Sequence, residues 1–467
     1  MFQRLWQWIR EAWQKMISPG NVKQSLRVDV AITPLMAEAL QKWSLMYINQ
    51  PPWIPAGSDI KSLNLPAAIA AEIARAVTIE MDVQISGSPR ADFLASQFSP
   101  VLNNIRTYTE YSAAKGGLMF KPYIKGEYVC VDFVQADMFY PVAFDANGNM
   151  TSCVFADQKQ IGSNTFYTRL EYHLFAPDGY QITNTAFKSS TQQALGVQVP
   201  LASVPDWAEL EPAATIVNIE RPLFAYFKMP FANNIDPTSP LGVSVYSRAT
   251  GLIEEADKIY SNLIWEFESG KRAVYIDTMA FGKTTDSKPV LPNNRMYRFV
   301  DMQSKIDGKG FFEDWSPEFR EAQIKSGLND IKREIEFLCG LAYGTISDPE
   351  SVSLTATEII SSKQRSQATV VDTQKSLKIS LEQLIYAMDV WATLGSLAPV
   401  GAYETTYQFD DSIVTDYDAQ FTQDSQAVGM GSMPKYIFNM RNFGVTEEVA
   451  KQWVAEAQTQ RVPKVVQ

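Results

Sequence analysis

Leu354-Thr355-Ala356-Thr357-Glu358-Ile359-Ile360 opens the segment that decides how the rest of the chain is read. From here to Leu394 there is neither proline nor glycine. Thr355 and Glu358 have capping-box spacing, and Ser353 is an equally good cap. A helix over 353–395 would run ~60 Å, beyond the ~8–20 residues usual in globular proteins. Its first half is polar, with Ser361, Ser362, Gln364, Ser366, Gln367, Thr369, Thr373, Gln374 and Ser376. Its second half is apolar, with Leu377, Ile379, Leu381, Leu384, Ile385, Met388 and Trp391. A polar helix of this length needs support from tertiary contacts or from neighbouring chains. It suits a girder within an assembly.

Upstream of the girder, Gly344, Ser347 and Pro349 make Tyr343–Glu350 a loop. Before it, Ser316-Pro317-Glu318 reads as cap, N1 proline and first-turn acid of a helix reaching about Leu341. Leu328, Ile331, Ile335 and Leu338 form its apolar ridge. Another helix is expected from about Val243 to Ser269, stopped by Gly270. Between the two lies a compact insert, with strand-like runs at Ala273–Ile276 and Met296–Val300. From Lys271 to Lys309 it carries eight basic and four acidic residues, a local balance of +4. Lys271, Arg272 and Lys283 belong to this band, which could track phosphate or be an ordinary solvated surface. Gly282-Lys283-Thr284 is not a P-loop, because Asp277 stands where the first glycine is needed.

The first half of the chain is mixed. Thr33–Tyr47, Leu65 to about Gln84, and Ala91–Ala114 read as helices, the last divided or kinked at Pro100. Six short strand patterns follow: Leu118–Ile124, Tyr128–Phe133, Met138–Phe144, Cys153–Gln158, Phe166–Phe175 and Tyr180–Ala186. Lys125-Gly126, Asn147-Gly148 and Asp178-Gly179 supply turns, so the expectation is an antiparallel meander. No G-x-G-x-x-G follows a strand, which argues against a dinucleotide fold. Met1–Met16 reads as an amphipathic helix with three tryptophans, stopped at Pro19-Gly20.

The chain has 467 residues, 41 Lys and Arg against 52 Asp and Glu, and a net charge of -11. That excludes a generally basic nucleic-acid coat. The one histidine, His173, excludes a multi-imidazole metal site, and its place in an aromatic strand points to packing rather than catalysis. Cys130, Cys153 and Cys339 form no paired motif, so a reducing compartment is expected. No apolar run reaches the ~20 residues of a membrane span. In the tail, Gly401–Met430 holds six acids and no Lys or Arg. Asp410-Asp411 and Asp416-x-Asp418 lack the EF-hand pattern and read as a solvated acidic face. A last helix is expected at Val445–Ala457 behind Thr446.

This order of elements, with the Thr-Ala-Thr-Glu stretch after a proline-containing loop, resembles the portal proteins of long-tailed bacteriophages, in the Gp6-like group. The resemblance covers roughly residues 25–400. It implies an α+β portal fold assembled as a ring of twelve subunits, or thirteen in isolated material. The implied parts are an N-terminal arm and wing at 1–242, stem helices at 243–269 and 317–342, and a small α/β clip at 270–316. A tunnel loop follows at 343–352, then a long wing helix at 353–395 and a short crown at 396–467. It further implies a channel at one capsid vertex, through which terminase packages double-stranded DNA and through which DNA leaves on infection.

Implied partners are other copies of the chain, DNA passing non-specifically, the terminase large subunit, head-tail connector or adaptor proteins, and the major capsid and scaffold proteins. Gly344, Thr345, Ser347 and Asp348 would lie nearest the DNA, with Lys271, Arg272 and Lys283 as a basic band on the clip. The implied place is the virion, after assembly in the host cytoplasm. No cofactor, metal or catalytic activity is expected. The N-terminal helix would dock on capsid or scaffold. Rival readings are another ring-forming connector, a nucleic-acid enzyme without a visible catalytic cluster, and a peripheral membrane protein anchored by residues 1–16.

Overall fold

The computed structural model describes residues 17–177, 179–192, 194–270, 273–277, 297–300, 312–315, 318–349, 356–409 and 417–460. The helix expected at Met1–Met16 lies outside them. Pro19 begins a helix, α1 at Pro19–Leu26. Proline at the first turn has no N–H to lose there.

In α2 (Pro34–Tyr47) the Thr33 hydroxyl accepts from the Met36 amide, and Met36, Leu40, Trp43 and Met46 turn inward. α3 is shorter than expected, Leu65–Thr78. The residues that looked like its end form strand β1, Met81–Ser86, where Val83 and Ile85 are buried and their neighbours exposed. That alternation has the period of a strand, and it overrides helix propensity. α4 (Pro89–Lys115) runs unbroken through Pro100. Pro100 is exposed, so the missing N–H falls on the solvated side.

β2 (Gly117–Lys125) and β3 (Tyr128–Gln135) form a hairpin in register from Leu118↔Gln135 to Lys125↔Tyr128. β4 (Phe139–Phe144), β5 (Met150–Gln160), β6 (Phe166–Ala176), β7 (Gly179–Ser189) and β8 (Val197–Val199) make the expected antiparallel meander. β9 (Ala213–Ile216) adds to β7, while β10 (Ala225–Lys228) crosses back to pair β2. The hairpin therefore belongs to a separate sheet in the order β10-β2-β3.

The two sheets are joined by a buried charge cluster. Lys121 on β2 meets Glu171 on β6 at 2.7 Å, and Arg169 meets it at 3.1 Å. His173 lies 2.8 Å from Glu171 and 2.6 Å from the Tyr180 hydroxyl. A neutral ring donating from Nε2 to Glu171 and accepting at Nδ1 satisfies both contacts. Burial lowers the His173 pKa. Burial also works against ionised Glu171, but Lys121, His173 and Arg169 together hold its pKa well below the ordinary value. His173 is thus a packed residue, as its strand context suggested.

After β10, Val243, Val245 and Tyr246 are buried as coil rather than helix. The Val245 amide and Ser244 hydroxyl both donate to the Ala113 carbonyl, which pins this stretch to the end of α4. α5 therefore starts at Thr250 and runs to Ser269. At its far end β11 (Ala273–Asp277) lies between β12 (Tyr297–Val300), parallel to it, and β13 (Phe312–Trp315), antiparallel. Among the described residues the insert holds a small sheet, with one strand more than its hydropathy pattern announced. α6 returns at Glu321–Cys339. It starts after Ser316-Pro317, where Arg320 is held by Glu266 of α5 through its amide at 3.1 Å and its guanidinium at 2.8 Å.

α7 spans Ala356–Leu394, 39 residues. Leu377, Leu381, Leu384, Ile385 and Met388 are buried against the β10-β2-β3 sheet. Its polar half was expected to need tertiary contacts or neighbouring chains, and part of it finds tertiary contacts within the chain. Ser362, Thr373, Gln374 and Ser380 are buried, Ser376 donates to the Lys228 carbonyl, and Gln374 to that of Val77. Ser376 and Gln374 thus tie the helix to the backbone of β10 and α3. The C-terminal end of α7 is gripped by Arg90 of α4. β14 (Glu404–Phe409) then pairs β1.

Residues 408–467 form a second compact unit. α8 (Tyr417–Gly429), α9 (Lys435–Phe443) and α10 (Glu447–Gln460) are its helices. Phe438 packs edge-on to Phe421 and Phe443, and Phe443 to Trp453. Asp424 is buried beside Arg441 at 3.4 Å and Asn442 at 3.0 Å. Asp410, Asp411 and Asp416 lie outside the described residues.

Candidate functional site

The loop between α6 and α7 is built by the helix before it. α6 ends because Gly340 adopts φ +71, and its amide and that of Leu341 close onto the Glu336 carbonyl. A Cβ at Gly340 would lie 2.3 Å from the Thr369 hydroxyl of α7, so the close approach of the two helices also requires glycine. The chain then turns through Gly344, at φ +86.

The Glu336 side chain is fully buried, and the loop wraps around it. Oε1 accepts from the amides of Ile346 at 2.6 Å and Ser347 at 2.9 Å. Oε2 accepts from the Ser347 hydroxyl at 2.8 Å and the Gly344 amide at 3.2 Å. Two turns earlier, Asn329 accepts from the Asp348 amide at 2.6 Å and donates to the Asp348 carbonyl at 3.3 Å. The root of the loop is tied to α7, where Ser362 accepts from the Tyr343 amide at 2.6 Å. The Arg333 and Arg365 guanidinium groups lie 5.0 and 5.5 Å from the Tyr343 ring centre.

Of the residues expected at the channel, Asp348 is exposed, and Gly344 and Thr345 are half-buried. Ser347 is buried, its hydroxyl spent on Glu336 and the Gly344 amide. Lys271, Arg272 and Lys283 lie outside the described residues. At the base of the insert between α5 and α6, Glu266 and Arg320 brace the two helices while Phe267 and Phe319 pack at 5.9 Å. Among the described residues, no three His, Cys, Asp or Glu side chains group as metal ligands. No helix among them is long and apolar enough to cross a membrane.

Glu336 and Asn329 were not singled out in the sequence. A signal was there: the two are seven residues apart, beside the buried Leu328 and Ile335. Polar residues recurring on the buried edge of an amphipathic helix are expected to have a partner.

A family model described as phage portal protein, SPP1 Gp6-like, matches residues 100–462. The chain belongs to that family. As a portal protein it is implied to act in an oligomeric ring with capsid and tail partners, at the capsid vertex of a virion. Among solved structures, the portal chain is distantly similar to one described as "Neck of native GTA particle computed with C12 symmetry". That likeness has a TM-score of 0.46 at 10% identity and covers 91% of this chain and 99% of the other. No curated protein matches the chain.

Proposed function

We propose that twelve copies of the chain close a channel at one capsid vertex, that terminase drives double-stranded DNA inward through it, and that DNA leaves by the same route on infection. The family match over residues 100–462 carries this reading. The loop 344–348 lines the channel, with Asp348 and Thr345 toward the DNA and Ser347 holding the loop in shape. An exposed carboxylate such as Asp348 repels phosphate and favours sliding over binding. The clip, with Lys271, Arg272 and Lys283, meets the terminase large subunit during packaging and head-tail connectors afterwards. Capsid and scaffold proteins contact the wing side during assembly in the host cytoplasm. The chain performs no catalysis; the motor supplies it.

Removing the chain from an infection separates this reading from the rival in which it is a later connector. A portal leaves heads without DNA when absent. Heads full of DNA but lacking tails would overturn the assignment.

A further inference from the structure

We propose that Glu336 and Asn329 are the positioning residues of the channel loop. They fix residues 344–348 to stem helix α6, so the loop is carried by α6 rather than swinging as a free flap. The inference rests on the reading of this loop as channel lining.

A carboxylate sealed from water needs donors on both oxygens or it destabilises the fold. Among the described residues, Glu336 finds them in the loop rather than in a Lys or Arg. Each oxygen takes two hydrogen bonds, three from backbone amides and one from the Ser347 hydroxyl. Amides converging on one anion form a nest, and bonds to an ionised acceptor are stronger than neutral ones. Here helix α6 supplies the anion and the loop after it supplies the nest.

Asn329 adds a second anchor on the same face. It holds the Asp348 backbone on both sides, by amide and by carbonyl. The loop is thus bound at 344–347 and again at 348, by side chains two turns apart on one helix. Thr345 and Asp348 are presented at a height set by α6. An amide at position 336 cannot replace the carboxylate, since its NH2 would face the Gly344 amide or the Ile346 and Ser347 amides.

The test uses the assembled full-length protein. Hydrogen–deuterium exchange at Gly344, Ile346 and Ser347 is compared between the parent and Glu336→Gln, together with exchange along α6. Exchange is expected to rise about tenfold or more at Gly344, or at Ile346 and Ser347, whichever the new NH2 faces, with α6 unchanged and rings intact. DNA filling of particles should fall at equal portal incorporation. Unchanged exchange overturns the clamp, and so does protection lost throughout α6, since Glu336 would then hold the helix and not the loop.

Should Glu336→Gln fail to assemble, Ser347→Ala removes one donor without touching α6. It should raise exchange at Gly344 about threefold, and no rise there overturns the clamp. The channel reading is checked separately by Asp348→Cys and cross-linking to packaged DNA. A cross-link supports it. No cross-link overturns the channel role, whereas unchanged exchange overturns the clamp even when the cross-link forms.

Discussion

Arg90 ties the start of α4 to the end of the long helix, and its removal has a calculable consequence. The residue is 1% exposed. Its Nε–H donates to Asp389 Oδ1 at 2.6 Å, and Nη1–H to the Ala398 carbonyl at 3.0 Å. Nη2 donates to the Asp389 carbonyl and to the Thr393 hydroxyl. A cation at a helix C-terminus also complements the dipole there.

Arg90→Met keeps the aliphatic stem and leaves these acceptors without their donor. Breaking a fully buried ion pair costs about 3–5 kcal/mol. Asp389 is 30% exposed in its side chain, so water recovers part of that. A loss of about 2–3 kcal/mol is expected. For the unit Met1–Tyr407 the unfolding entropy is ~0.85 kcal/mol/K. The unfolding temperature should drop by about 3 °C, measured by calorimetry at one protein concentration and one oligomeric state. Asp389→Asn keeps an acceptor for Nε–H but leaves the buried guanidinium without its counter-charge, so it should also lose about 2–3 °C. Arg90→Met within 1 °C of the parent would refute the reasoning. So would an unchanged unfolding temperature in Asp389→Asn, because the charge pair would then contribute nothing.

Two further outcomes are expected. Gly340→Ala should cost about 2–4 kcal/mol, from the left-handed backbone and the contact with Thr369, and Thr369→Ala should recover only the contact part; chemical denaturation of the three variants checks this. Stability should also fall on acidification in two windows, because the folded pKa of both His173 and Glu171 lies below its unfolded value. The first begins below about 6.5, where His173 in the unfolded chain takes up a proton, and the second below about 4.5, where Glu171 does. The facing charges are Lys121, Asp132, Asp157 and Arg169, with the Tyr180 hydroxyl on the ring. His173→Gln should flatten only the first window in a series of melts from pH 8 to pH 3.

Much of this architecture is legible where a pattern has one dominant period. The strands from Phe139 to Ser189 carry a clear alternation and the run to Leu394 has no helix breaker, and these form as read, while the first two strands of the expected meander pair in a separate sheet. Met81–Ser86 was obscured because its alternation abuts the apolar end of a helix and covers only six residues. Val243–Tyr246 looked helical because nothing local reveals that its backbone bonds go to Ala113. The polar face of α7 read as a surface awaiting neighbours because its partners, the carbonyls of Val77 and Lys228, are 297 and 148 residues away. The loop itself was located by glycine and proline, but its two anchors look in sequence like ordinary polar helix residues. Only the fold shows that Glu336 and Asn329 face the segment that follows them.

The most direct test of the account is electron microscopy of the purified full-length protein, with its mass measured in solution. Rings with a central channel are expected, and twelve copies of the 52.4 kDa chain give about 629 kDa. A monodisperse monomer across a range of salt and protein concentrations would contradict it.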